Sequence, residues 1–151
     1  MNYYISDLHL GHVNAIGFDG RPFADVMEMN KTLIRRWNSA VGRADTVYVL
    51  GDFIWEKESL WPAWMERLTG NKVLIRDNHD PRQFSRATKR FFQDIADYKE
   101  ITDTGWHVIL CHFSTFQSIF SQAEKPRLLT GKGDHSQNAP RNASAALLNT
   151  A

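Results

Sequence analysis

The chain has 151 residues, enough for one domain with a real core. Hydrophobic residues make up 42% and charged residues 23%, ordinary globular proportions that exclude a disordered or fibrous chain. Eighteen Lys plus Arg against seventeen Asp plus Glu leave a net charge of +1, so no broad electrostatic drive toward nucleic acid or an anionic membrane exists.

The single cysteine, Cys111, excludes an internal disulfide and a thiolate zinc site. No apolar run approaches the about 20 residues that a membrane span requires, and Met1 leads straight into a polar and aromatic stretch. The expectation is a cytoplasmic protein without membrane association.

Tyr3 to Ile5 predicts a short buried strand ending at Ser6-Asp7, and the loop after it carries Gly11, Gly17, Gly20 and Pro22. That loop holds Asp7, His9 and His12 within six positions. From Asp25 onward Val26, Met29, Leu33, Trp37 and Ala40 fall at helical spacing, with Lys31, Arg35 and Arg36 on other faces and Gly42 closing the segment. Thr46 to Leu50 is a continuous β-branched and aromatic run, the pattern of a strand covered on both faces, and Gly51-Asp52 follow it. A second helix is predicted around Pro62 to Leu68, ending at Gly70, and a third strand from Lys72 to Ile75 runs into Asn78-His79-Asp80. A weaker helical pattern around Arg82 to Phe92 includes Arg82, Arg86, Lys89 and Arg90, a basic face read as solvated. It leads to a hairpin, Lys99 to Thr102 and Trp106 to Leu110, turning at Asp103-Thr104-Gly105 and ending in Cys111-His112.

Strand and helix in alternation predict a mainly parallel sheet with helices over it. Ligands bind beyond the carboxyl ends of such strands. Asp7, His9, Asp52, Asn78, His79 and His112 are therefore expected at one rim of one sheet. Imidazoles, carboxylates and an amide oxygen suit manganese, iron, zinc or nickel, and Asp52 has two oxygens with which to bridge a pair of cations. Two cations about 3.5–4 Å apart clamp a phosphoryl group and acidify a bridging water. His79, with Asp80 beside it to fix its tautomer, can protonate a leaving alkoxide. Phe53 and Trp55, next along from Asp52, are candidate walls of a substrate pocket.

In this order and at predicted strand ends, "SDLHLGH", "LGDF", "NHD" and "LCH" resemble the calcineurin-like metallophosphoesterase superfamily, in particular its small bacterial and phage-type members. The resemblance covers roughly residues 2 to 113, with "FDGRPF" and "GDFIW" included. It implies an αββα sandwich of mixed β-sheets flanked by helices, with residues 1–113 as the metallophosphoesterase core. It implies two divalent cations, manganese first: Asp7 and His9 on one, Asp52 bridging, Asn78 and His112 on the other. His79 becomes the acid with Asp80 in support, and Asn78, His12 and Arg21 contact the substrate. The implied reaction is hydrolysis of a phosphate mono- or diester by a dinuclear-metal-activated hydroxide, nucleic acid entering only as a candidate substrate.

Two departures stand out. The family writes a glycine where this chain has Asp77, which adds negative charge near the expected anion site and predicts weaker phosphate binding. The family's Gly-His-x-His segment, expected a few tens of residues after His112, does not occur in these 151 residues; His135 in "GKGDHSQN", with Asp134 beside it, is the candidate substitute for one ligand. Residues 114–151 form an atypical C-terminal segment, expected to be truncated or replaced and to end in a flexible tail. The rival reading is a catalytically impaired remnant holding one metal or none.

Overall fold

A computed structural model describes residues 1–112 and the strand 127–130. Among these the elements run β1 (Asn2–Ile5), α1 (Ala15–Phe18), α2 (Val26–Ala40) and β2 (Thr46–Leu50). A 3-10 turn (Glu58–Leu60) leads into α3 (Trp61–Met65), then come β3 (Asn71–Ile75), α4 (Arg86–Lys89), β4 (Asp94–Ala96), β5 (Lys99–Asp103), β6 (Trp106–Cys111) and β7 (Arg127–Thr130). Residues His135 and Asp134, and the tail expected beyond Ser136, lie outside the described residues.

Strands β1 to β4 form a parallel sheet in chain order, so their carboxyl ends share one edge. The alternation of strand side chains then decides what covers each face. Tyr3, Ile5, Val47, Val49 and Leu74 point to one side and pack with Met29, Leu33, Ile34 and Trp37 of α2 and with Trp61 and Met65 of α3. Tyr4, Leu50, Val73 and Ile75 point to the other, where Val108 and Leu110 of β6 meet them. The continuous apolar run of β2 is thus explained: both of its faces are covered.

Helix α2 starts where the sequence says it should. The Asp25 carboxylate accepts the Glu28 N–H at 2.8 Å, and the Glu28 carboxylate reaches back to the Ala24 N–H, also at 2.8 Å, satisfying two donors at the helix entrance. Trp37 is 1% exposed and its indole N–H donates to Thr69 O, tying the helix to the segment that feeds β3.

Several expectations need correction. The second helix stops at Met65 rather than Leu68, and the fourth covers only Arg86–Lys89. β4, not foreseen, is three residues of mixed polarity that become a strand because the edge of β3 is open to them. The hairpin forms as predicted, with Lys99 opposite Leu110 and Asp103 opposite Trp106. It belongs to a second sheet, β5-β6-β7, in which β6 pairs antiparallel with β5 and parallel with β7. The polar strand ends therefore come from two sheets rather than from one rim of one sheet. The result is a mixed α/β fold: a parallel sheet carrying helices on one face and a second sheet, built on an antiparallel pair, on the other. Among the described residues no helix is long and apolar enough to cross a membrane.

Candidate metal centre

Three aspartates stand two residues beyond three parallel strands: Asp7 after Ile5, Asp52 after Leu50 and Asp77 after Ile75. His112 follows β6 directly. The chain reaches this arrangement through left-handed backbone at Asp7 (φ 54°), His9 (φ 53°) and Asp52 (φ 48°), with Gly51 at φ 74° between strand and carboxylate. Among the described residues the remaining non-glycine with positive φ is Thr104 in the hairpin turn. Strain of this kind costs about 1–3 kcal/mol per residue and persists where surrounding structure enforces it. Here the two loops are laced together: His9 N–H donates to Asp52 O at 2.8 Å, Leu10 N–H to Phe53 O at 3.0 Å and Trp55 N–H to Leu10 O at 2.7 Å.

The outcome is two sets of donor atoms with one member in common. Asp7, His9 and Asp52 each bring a ligand atom within 4.8 Å of the others, and so do Asp52, Asp77 and His112. His9 Nε2 and His112 Nε2 lie 3.9 and 3.8 Å from Asp52 Oδ2, and His112 Nε2 lies 3.9 Å from Asp77 Oδ2. These separations are too long for hydrogen bonds. They fall inside the about 4.2 Å that separates, at most, two donors each about 2.1 Å from one ion.

Protonation suits a cation. His112 Nδ1 is 2.9 Å from Leu50 O, which only accepts, so Nδ1–H donates to it and Nε2 faces the aspartates. Burial, with Arg21 adding to it, lowers the pKa of His9 and keeps that ring neutral; its Nδ1 meets His12 Nδ1 at 3.2 Å. Burial likewise lowers His12. Asp52 is pushed up to about 8, first by burial and then by Asp77, while its Oδ1 is buried without a hydrogen-bond partner among the described residues. For Asp77 burial works upward, but the hydrogen bond with Asp52 and the N–H groups of Asp80 and His79 outweigh it and hold the carboxyl below its usual range. The ion pairs that Asp52 and Asp77 make among the described residues are with histidines, not with lysine or arginine. Buried carboxylates crowded in this way, one with an orphaned oxygen, fit a divalent cation.

The other expected site residues divide. Asn78 and His79 are exposed on the turn beyond Asp77, the His79 ring centroid 5.0 Å from that of Trp55. Asp80 turns inward rather than toward His79: it is buried, its Oδ2 accepts the Asp77 N–H at 3.2 Å, and burial followed by Asp77 pushes its pKa up to about 7. Arg21 spends its donors on the loop itself, on Asp7 O at 2.8 Å, Leu8 O at 3.0 Å and the Asp19 carboxylate at 2.8 Å. His12 stacks on Trp55 at 4.2 Å, and Trp55, 39% exposed, also lies 5.7 Å from His9, forming an aromatic wall beside the donors.

Sequence reasoning treated Asp77 only as the occupant of a glycine's place. The usable signal was the repeated apolar-x-Asp spacing at the three strand ends, which puts Asp77 on the same footing as Asp7 and Asp52. Gly51 was also passed over. A Cβ built there would lie 2.3 Å from His112 Nδ1 and 2.9 Å from Asp77 Cβ, so the missing side chain is what lets those two residues converge.

No protein-family profile matches the chain. It is 50% identical over 80 residues to an uncharacterized protein of Methanocaldococcus jannaschii, covering 52% of this chain and 46% of that protein. It is 32% identical over 130 residues to the Gene 66 protein of Mycobacterium phage L5, covering 74% of this chain and 62% of the phage protein. The solved structure of a protein of unknown function from Aquifex aeolicus superposes with a TM-score of 0.61 at 30% identity, over 75% of this chain and 60% of that one. The chain thus spans between about half and three-fifths of the length of these relatives.

Proposed function

We propose that the chain is a metal-dependent phosphoesterase of the calcineurin-like kind, hydrolysing a phosphate mono- or diester at a two-cation centre. The finer αββα sandwich of that family belongs to the same proposal. The observation that carries it is the pair of donor sets sharing Asp52, because a carboxylate common to both sets is what a pair of adjacent cations requires. Asp7 and His9 would hold one cation, His112 the other, and Asp52 both. The amide of Asn78, next to Asp77 on the exposed turn, is offered to the second cation or to the phosphate.

Bound there, two divalent cations would supply the Lewis acid that polarises the phosphoryl oxygen and acidifies water. The mixture of imidazole and carboxylate favours manganese, with iron, zinc and nickel as alternatives. The protein's own part is to fix the geometry. Left-handed backbone at Asp7, His9 and Asp52 aims the donors, Leu50 O sets the His112 tautomer, and His12 seats His9. His79, exposed beside Trp55, would give its proton to the departing alkoxide.

The test is metal content and hydrolysis on one preparation. Purified protein loaded with Mn²⁺ should retain about two ions per chain and cleave bis(4-nitrophenyl) phosphate or 4-nitrophenyl phosphate. Asp52→Asn and His112→Ala should abolish turnover, and an unchanged rate in both rules the assignment out. One ion or none, with no turnover, selects the impaired remnant.

A further inference from the structure

We infer that Asp77 is a direct ligand of the second cation, completing a shell that Asp52 and His112 begin. The inference rests on the two-cation reading and adds to it a residue that the family pattern leaves as glycine.

Three observations carry it. The first is position. β2 and β3 pair with Leu50 beside Ile75, so Asp52 and Asp77, each two residues further on, leave the sheet as neighbours. The second is burial. The Asp77 side chain is 0% exposed, and its ion-pair partner among the described residues is His112, not lysine or arginine. A carboxylate beside another carboxylate in such a setting is costly unless a cation enters. The third is the division of labour between its two oxygens. Oδ1 accepts the N–H groups of His79 at 2.9 Å and Asp80 at 2.6 Å, which pins the group and accounts fully for a turn-capping role. Oδ2 is not needed for that turn. It points inward, accepting the Asp52 N–H at 3.2 Å and lying 3.9 Å from His112 Nε2, with lone-pair capacity left for a cation.

Gly51 makes room for this approach. Its Cβ-less backbone is the floor over which His112 and Asp77 approach, and an added Cβ would strike both. That clearance lets Asp77 Oδ2 and His112 Nε2 come within 3.9 Å of each other.

The experiment is an Mn²⁺ titration of the metal-free full chain, followed by electron paramagnetic resonance. Wild type should bind about two Mn²⁺ and give the multiline signal of a coupled pair. Asp77→Ala should keep one tight site and lose the other by more than the about 10–100-fold that removal of an outer partner costs, with the six-line signal of isolated Mn²⁺ replacing the multiline one. Asp77→Asn, whose amide oxygen still caps the turn while its NH2 replaces Oδ2, should lose the second site as Asp77→Ala does and serve as the folded control. Two sites of wild-type affinity with a coupled signal in both variants would overturn the assignment while leaving the two-cation centre standing. A wild type that binds no Mn²⁺ overturns both, and the two failures are therefore distinct.

Discussion

Alanine at Gly51 tests how tightly the strand ends converge. The backbone there has φ 74°, and the new Cβ would sit 2.3 Å from His112 Nδ1, 2.8 Å from His112 Cγ and 2.9 Å from Asp77 Cβ. Left-handed backbone costs an L-residue about 1–2 kcal/mol and overpacking a filled site about 1–3 kcal/mol more, together about 2–5 kcal/mol. At about 2–4 °C per kcal/mol for a chain of this length, the middle of that range lowers Tm by roughly 7–14 °C. Gly105 is the control: it sits at φ 82° in the hairpin turn with nothing within 4 Å of its would-be Cβ, so alanine there incurs only the backbone share of about 1–2 kcal/mol. Thermal unfolding of the metal-free proteins, with an Mn²⁺ titration of each, separates the two. Gly51→Ala should unfold well below Gly105→Ala, or, where His112 rotates aside and gives up its bond to Leu50 O, lose the second Mn²⁺ instead. Equal Tm values and equal Mn²⁺ affinities for the two variants would refute the crowding of His112 and Asp77 over Gly51.

Other consequences follow from the same structure. Asp52→Asn puts a neutral amide where burial and Asp77 already push the metal-free carboxyl up to about 8, so its metal-free Tm should be no lower than wild type, while the gain of about 2.7 kcal/mol per site expected at Mn²⁺ one hundred times above Kd should vanish; a retained Mn²⁺-dependent rise in Tm contradicts the shared-ligand role. Arg21→Ala unties the carbonyls of Asp7 and Leu8 and should weaken Mn²⁺ at the Asp7–His9 set about 10–100-fold; a changed KM with unaltered Mn²⁺ affinity would instead make Arg21 a substrate contact. Lys72 is buried with its ammonium donating to Leu68 O and Gly70 O, and burial pulls its pKa from 10.5 down to about 8. Between those values the unfolded chain holds a proton that the folded chain lacks, so its contribution to stability rises with pH, by up to about 1.4 kcal/mol per unit, and is flat below about 8. Urea unfolding of wild type and Lys72→Met from pH 7 to 10 should show that rise in the difference between them, and a pH-independent difference disproves the shift.

What the sequence alone determined is whatever local physics writes into short windows. The 3.6-residue spacing of Met29, Leu33 and Trp37 with Asp25 and Glu28 at the entrance fixed α2, the β-branched runs fixed β2 and β3, and Thr104-Gly105 fixed the hairpin. Asp7, His9, Asp52 and His112 could be placed at strand ends, because the end of an apolar run and the polar residue after it are adjacent in the chain. Pairing between distant strands leaves no such trace. That β6 belongs to a second sheet and brings His112 in from outside the parallel one was decided by which apolar face needed covering, Tyr4, Leu50, Val73 and Ile75 finding Val108 and Leu110. β4 is too short for any periodicity and exists only because β3 offers an edge. The inward turn of Asp80 and the burial of Asp77 against Asp52 and His112 likewise came from the tertiary structure. Whether an acid after a strand is a solvated turn residue or a buried donor depends on what converges on it, and convergence is a property of the assembled chain.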